Sequence, residues 1–143
     1  MRTTRRRVVW LGPLVALATA AACSDVQASA AYCEQARQAE AAADPLKDDA
    51  VANDPVKLEA AMLARVLLYT ELAAHAPTEA RDEARTLQDA FARLYNALKA
   101  IGFDRTRANG DSGVRAVLDD AKVAEAVTAL RSYGEKACGI PAP

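Results

Sequence analysis

The chain has 143 residues, one domain's length, and its 18 Lys and Arg against 19 Asp and Glu give a formal charge of -1, so no global field draws a polyanionic partner. Arg2, Arg5, Arg6 and Arg7 sit in the first 22 residues, leaving 14 bases against 19 acids in the remainder, which argues against nucleic acid. Six Gly, six Pro, 5% aromatics and alanine at 35 positions disfavour a strand-rich fold and favour helices.

Residues 1–22 read as an export signal: arginines up to Arg7, then fifteen uncharged residues from Val8 to Ala22 ending in small side chains. Fifteen is short of the about 20 apolar residues that a membrane span needs. Thr4-Arg5-Arg6-Arg7-Val8-Val9 also fits a loose twin-arginine pattern. The junction Ala20-Ala21-Ala22-Cys23 resembles a bacterial lipobox, in which the thiol receives a diacylglyceryl group and becomes the new N-terminus. On that reading Cys23 is lipidated and anchors the chain to the outer face of the membrane. The alternative is plain secretion, with cleavage at the small-x-small sequence Val26-Gln27-Ala28. The expected organisation is signal peptide 1–22, tether 23–28, helical domain 29–139 and tail 140–143.

An exported chain meets an oxidising compartment, so its remaining thiols form a framework rather than a cytosolic metal site. Either processing route leaves Cys33 and Cys138, an even pair. The spacing forms no zinc-ligand cluster with the single His75.

Four long helices are predicted in chain order. The first runs over Ser29 to Ala43, ended by Asp44-Pro45, with Tyr32, Cys33, Ala36 and Ala39 facing inward. The second starts at the N-cap Asp54 with Pro55 at the first helical position and runs to about His75, burying Leu58, Met62, Val66, Tyr69 and Leu72. The third has the strictest pattern: Ala80, Ala84, Leu87, Phe91, Leu94, Leu98 and Ile101 alternate spacings of three and four, and Gly102 stops the helix. A polar loop from Asp104 to Gly113 and a short helical stretch with Val114, Val117 and Leu118 precede the fourth, capped by Asp119 or Asp120 and burying Val123, Val127, Leu130 and Tyr133. Short connections favour antiparallel neighbours, so the expected fold is an all-α, up-down-up-down four-helix bundle. That topology brings the start of the first helix and the end of the fourth to one end, where a Cys33–Cys138 disulfide closes the domain. An odd number of long helices would separate the two thiols by a helix length.

No residue set announces a reaction. His75 has no nucleophile or orienting carboxylate fixed beside it by the sequence and reads as structural. Asp44, Asp48, Asp49 and Asp54 lack the calcium-loop spacing, and in the stretch Asp104 to Asp111 the glycine falls one place late. The Gly-rich phosphate loop, G-x-S-x-G, H-E-x-x-H and di-iron glutamate patterns are all missing. The expectation is therefore a non-enzyme with no cofactor and no metal.

The Ala20 to Cys23 junction, Tyr32-Cys33 at the head of the domain, Ala76-Pro77-Thr78-Glu79-Ala80 opening the third helix, and Tyr133 to Gly139 at the end are similar to the small helical lipoproteins and secreted proteins of actinobacteria. Thirteen Arg against five Lys, with abundant Ala, fits a GC-rich genome. The resemblance implies a structural framework and transfers no active site.

The expected function is the first of two that suit these features, with the second as its alternative. One is a membrane-tethered interaction module that docks another envelope protein or a wall component. A five-residue tether from Ser24 to Ala28 reaches at most about 18 Å, which holds the disulfide end near the membrane and turns the charged connections 44–53 and 103–113 outward. Asp48, Asp49, Arg105 and Arg107 are then the candidate partner-binding residues. The other is a carrier of a lipid or other apolar small molecule. A cavity of at least about 300 Å³ lined by residues such as Met62, Val66, Phe91, Leu94 and Val127 would favour the carrier, and a filled core would favour the module.

Overall fold

The computed structural model describes residues 28–141. The export segment 1–22, the lipidation site Cys23 and most of the tether lie outside the described residues. The described chain is helical, without strands. Four long helices, α1 (Ala30–Ala41), α3 (Pro55–His75), α4 (Arg81–Ala100) and α7 (Ala121–Cys138), are joined by three short ones, α2 (Asp49–Ala52), α5 (Arg105–Ala108) and α6 (Ser112–Leu118). Helix α4 packs against both α3 and α7, and α1 lies against α3 and, less extensively, α7.

The helix starts follow from capping chemistry, because a side-chain oxygen just ahead of a helix satisfies amides that have no intrahelical acceptor. Ser29 accepts from Tyr32 N at 3.2 Å, Asp54 from Val56 N and Lys57 N at 3.1 and 3.2 Å, and Asp111 from Val114 N at 2.9 Å. Of the two candidates ahead of α7, Asp120 is the cap, accepting from Lys122 N at 3.0 Å. Arg93 donates to its other oxygen at 3.2 Å, and these bonds, Arg93's first, hold the Asp120 carboxyl below its ordinary pKa.

Two connections expected to be irregular contain helical turns. Asp48 caps α2 through Ala50 N at 3.0 Å, and Asp104 caps α5 through Thr106 N and Arg107 N at 2.8 and 3.2 Å. Each turn buries one alanine, Ala52 and Ala108, which lets a short polar segment lie flat on the core. Phe103, left out of the expected core, is buried. Helix α4 ends at Gly102 with φ +71°, Phe103 follows at φ +54°, and Phe103 N donates back to Leu98 O at 2.8 Å. A left-handed phenylalanine is costly. It is held by burial of its ring, 5.4 Å from that of Tyr95.

The third predicted seam matches the structure except at one position: Ala80, Ala84, Leu87, Leu94, Leu98 and Ile101 are buried, Ala90 joins them, and Phe91 is only half-buried. In the second helix Leu58, Met62 and Leu72 are buried while Val66 and Tyr69 are half-exposed. In the last helix the buried set is Ala126, Leu130 and Gly134, with Val123, Val127 and Tyr133 partly open. Gly134 leaves room for the Ile140 side chain folded back over it, since a Cβ here would stand 3.2 Å from Ile140 Cδ1 and press that side chain outward.

Cys33 and Cys138 form a disulfide with their Cα atoms 5.3 Å apart. Beside it Tyr32 is buried, its ring edge-on to Tyr133 at 5.7 Å. Burial, with smaller contributions from Tyr133 and Glu83, pushes the Tyr32 phenol up to about 12. Burial also raises Tyr69 and Tyr133. An unfolded tyrosine ionises near pH 10, so these phenols favour the folded state fully below about pH 10 and cease to do so as the pH rises through their folded-state values, which for Tyr32 is about 12. Denaturant midpoints taken from about pH 9 to about 12 should therefore fall across this window. Tyr32→Phe should flatten that dependence.

Candidate functional site

The core is not continuous along the bundle. One cluster, built on Leu58, Met62, Leu94, Leu98, Phe103 and Val114, fills the end that holds the short helices. The other, built on Tyr32, Leu72, Ala84, Leu87 and Leu130, fills the disulfide end. Helix α1 packs only into the second of these. The cause is in its sequence. With 12 residues α1 is about 18 Å long at 1.5 Å per residue, against about 31 Å for the 21 residues of α3. Its inward residues beyond Cys33 are also small: Ala36 packs on the disulfide-end cluster, and Ala39 lines the space beyond it without filling it.

Between the clusters this leaves a half-open cleft of about 450 Å³. Its floor is Met62 and Tyr69 of α3 with Leu87, Ala90, Phe91 and Leu94 of α4, and its far wall is Val123 and Val127 of α7. The loop 44–47 after α1 crosses one edge, and Val117 and Leu118 close another. The Tyr69 and Phe91 rings lie stacked, 4.3 Å apart and 10° from parallel, which presents a flat aromatic surface. Four of the five residues expected to line a cavity do so: Met62, Phe91, Leu94 and Val127; Val66 does not.

The residue that sequence reasoning missed is Arg65. It occupies an inward position of α3, at the 3-4 spacing from Met62 and Tyr69 where an apolar residue is expected, and it lines the cleft. Its guanidinium donates to Ala39 O at 3.3 Å, Ala42 O at 2.6 Å and Ala43 O at 2.7 Å. These are the carbonyls at and beyond the end of α1, where a cation is favoured by the helix dipole. The bonds explain why α1 stops at Ala41, two residues before the expected Ala43: tertiary donors take over carbonyls that a longer helix would have turned elsewhere. The only sequence signal was a lone arginine in an otherwise apolar stretch. The rest of the rim is paired, Arg131 with Glu40 at 3.3 Å and Lys47 with Asp44 at 3.4 Å.

The four partner-binding candidates lie on the connections at the end away from the disulfide. Arg105 bridges them, donating to the Asp49 carboxylate and, at 3.3 Å, to Asn53 Oδ1. Asp48 is engaged in capping α2, and Arg107 donates to Ile101 O at 3.3 Å, beyond the end of α4. Thus Asp49 and Arg105 are brought together, while Asp48 and Arg107 serve their own backbones. His75 is exposed at the end of α3 with Nε2 3.7 Å from the Glu71 carboxylate.

Among the described residues no three His, Cys, Asp or Glu side chains are placed to hold a metal, and no helix is long and apolar enough to cross a membrane. No family model matches the chain, and comparison with curated proteins and with solved structures finds no similar protein.

Proposed function

We propose that the chain is an exported helical carrier, anchored at Cys23, whose cleft holds one lipid chain or another apolar small molecule. The observation that carries this reading is the cleft: about 450 Å³, walled mainly by apolar and aromatic side chains, with Glu40, Asp44, Lys47, Arg65 and Arg131 as its charged lining. That volume and lining are typical of small-molecule sites between helices. An apolar cleft left empty forgoes the dispersion contacts that a filled core makes, and an apolar ligand restores them.

The same proposal takes the four long helices as alternating in direction, up, down, up, down. Its support is the disulfide-end cluster, which joins the first turn of α1, the last turns of α3, the first turns of α4 and α7 from Val123 to Cys138. In that arrangement α1 is the short corner of the bundle. The cleft is the part of the corner it does not fill.

The interaction module at the outward loops has one observation in its favour, that Arg105 joins the two connections into a single surface. Against it, the charges that would meet a partner are spent on each other and on helix ends.

The test uses the neutral dye N-phenyl-1-naphthylamine, whose fluorescence rises in apolar surroundings. One saturable site is expected. Val127→Trp, which places an indole in the cleft from a half-exposed position of α7, should abolish it while the melting transition is retained. Leu118→Ser at the rim serves as a second variant and should weaken the dye. Binding that both variants leave unchanged would place the dye elsewhere and remove the support for a carrier.

A further inference from the structure

Helix α3 carries two seams of alternating three- and four-residue spacing. The inner one, Leu58, Met62, Arg65, Tyr69, Leu72 and Ala76, faces the bundle and the cleft. The outer one is Val56, Ala60, Leu63, Leu67, Thr70 and Ala74. Three of the four large apolar side chains exposed among the described residues lie on it: Val56 at 76%, Leu63 at 44% and Leu67 at 59% exposed. A lone exposed leucine needs no explanation. A seam that keeps the 3-4 alternation over nearly the whole of a 21-residue helix is the pattern by which one helix packs along another.

We propose that this seam pairs with the same seam of a second copy of the chain, with the two α3 helices antiparallel about a two-fold axis near Ala64 and Arg65. The charges beside the seam choose both occupant and direction. On one flank stand Lys57, Ala64 and Glu71; on the other stand Glu59, whose carboxylate accepts from Tyr95 Oη of α4 at 3.3 Å, and half-buried Val66 and Ala73, the latter packed on the chain's own core. Turning one copy over about the midpoint sets Leu63 beside Leu67 of the partner subunit, twice by symmetry, and Val56 beside Ala74 of the partner subunit. Lys57 then faces Glu71 of the partner subunit, also twice, and Ala64 and Val66 each approach their own symmetry mates. No like charges oppose. In a parallel pair Glu59 and Glu71 would instead face Ala64 and Val66, and neither ion pair would form. Lys57 and Glu71 stand 3.6 Å from Asp54 and 3.7 Å from His75 of their own chain, and with side chains 62% and 60% exposed both exchange those local partners for each other across the pair. Small residues at positions 60, 64 and 74 let the two backbones approach closely, and a closed two-fold pair is the commonest assembly of a single chain. The two disulfide ends then point in opposite directions.

The test is photocrosslinking of the full chain in the cells that export it. A photoreactive residue at position 64, on the two-fold axis, should give a species of twice the mass, and one at position 129 on the exposed face of α7 should not. Leu67→Glu should reduce the position-64 product at least about tenfold, and the reversed pair Lys57→Glu with Glu71→Lys should restore what either single reversal loses. The Cys33–Cys138 bond, read on non-reducing gels, reports that each variant has folded. Equal products from positions 64 and 129, or a position-64 product made only with lipid or with a different protein, would overturn the pairing.

Discussion

Replacing Cys33 and Cys138 together with alanine is expected to cost about 2–5 kcal/mol of stability. The bond joins residues 105 apart, and closing a loop of about 100 residues removes chain entropy worth up to about 4.7 kcal/mol from the unfolded state. The loss should not spread evenly. Besides the disulfide, α1 is held by Tyr32, by the three carbonyl bonds from Arg65, by Arg131 on Glu40, and by Arg37, which donates to Cys138 O at 3.3 Å. These are few contacts, most of them exposed. In the variant, hydrogen exchange should rise first over residues 30–41, and dye affinity should fall with it because α1 and the loop after it form one side of the cleft. Uniform acceleration across α3, α4 and α7 would mean that α1 is no separate unit.

Leu98→Ala is expected to cost about 2–5 kcal/mol, because the side chain is fully enclosed and its removal leaves a cavity inside a close-packed cluster. Leu94→Ala should fall in the same range while also widening the cleft. Phe91→Ala should cost less than either, despite the larger side chain removed, since the ring is half-exposed and stacked on Tyr69. Its main effect should be on the dye. Arg93→Ala, on the outer face of α4, should change stability little. Urea midpoints at unchanged slope give the ordering. A loss for Phe91→Ala equal to that for Leu98→Ala would mean that the cleft is closed in solution.

The helices were legible because their signals are local. Asp54-Pro55 set the start of α3 and Gly102 the end of α4, and in both the chemistry lies within a few residues of the boundary. The disulfide followed from parity and from the even number of long helices. What stayed hidden depends on contacts distant in sequence. Phe103 is buried only because Gly102 turns it back under α4, and Arg65 is useful only because α1 ends beside it. The sequence named four of the cleft's lining residues, Met62, Phe91, Leu94 and Val127, as those a cavity would have, but did not predict that the cavity forms. Periodicity names the inward faces of four helices, but the empty corner comes from one helix being short and poor in large side chains, and helix length against helix length is a property of the assembled bundle.

Carriage of an apolar molecule is tested most directly by mass spectrometry of the full chain, purified under non-denaturing conditions from the cells that make it. The expected result is one apolar molecule per chain, extractable into organic solvent and lost from Val127→Trp. A chain that arrives with its cleft empty, or with the same extract in wild type and in Val127→Trp, would contradict it.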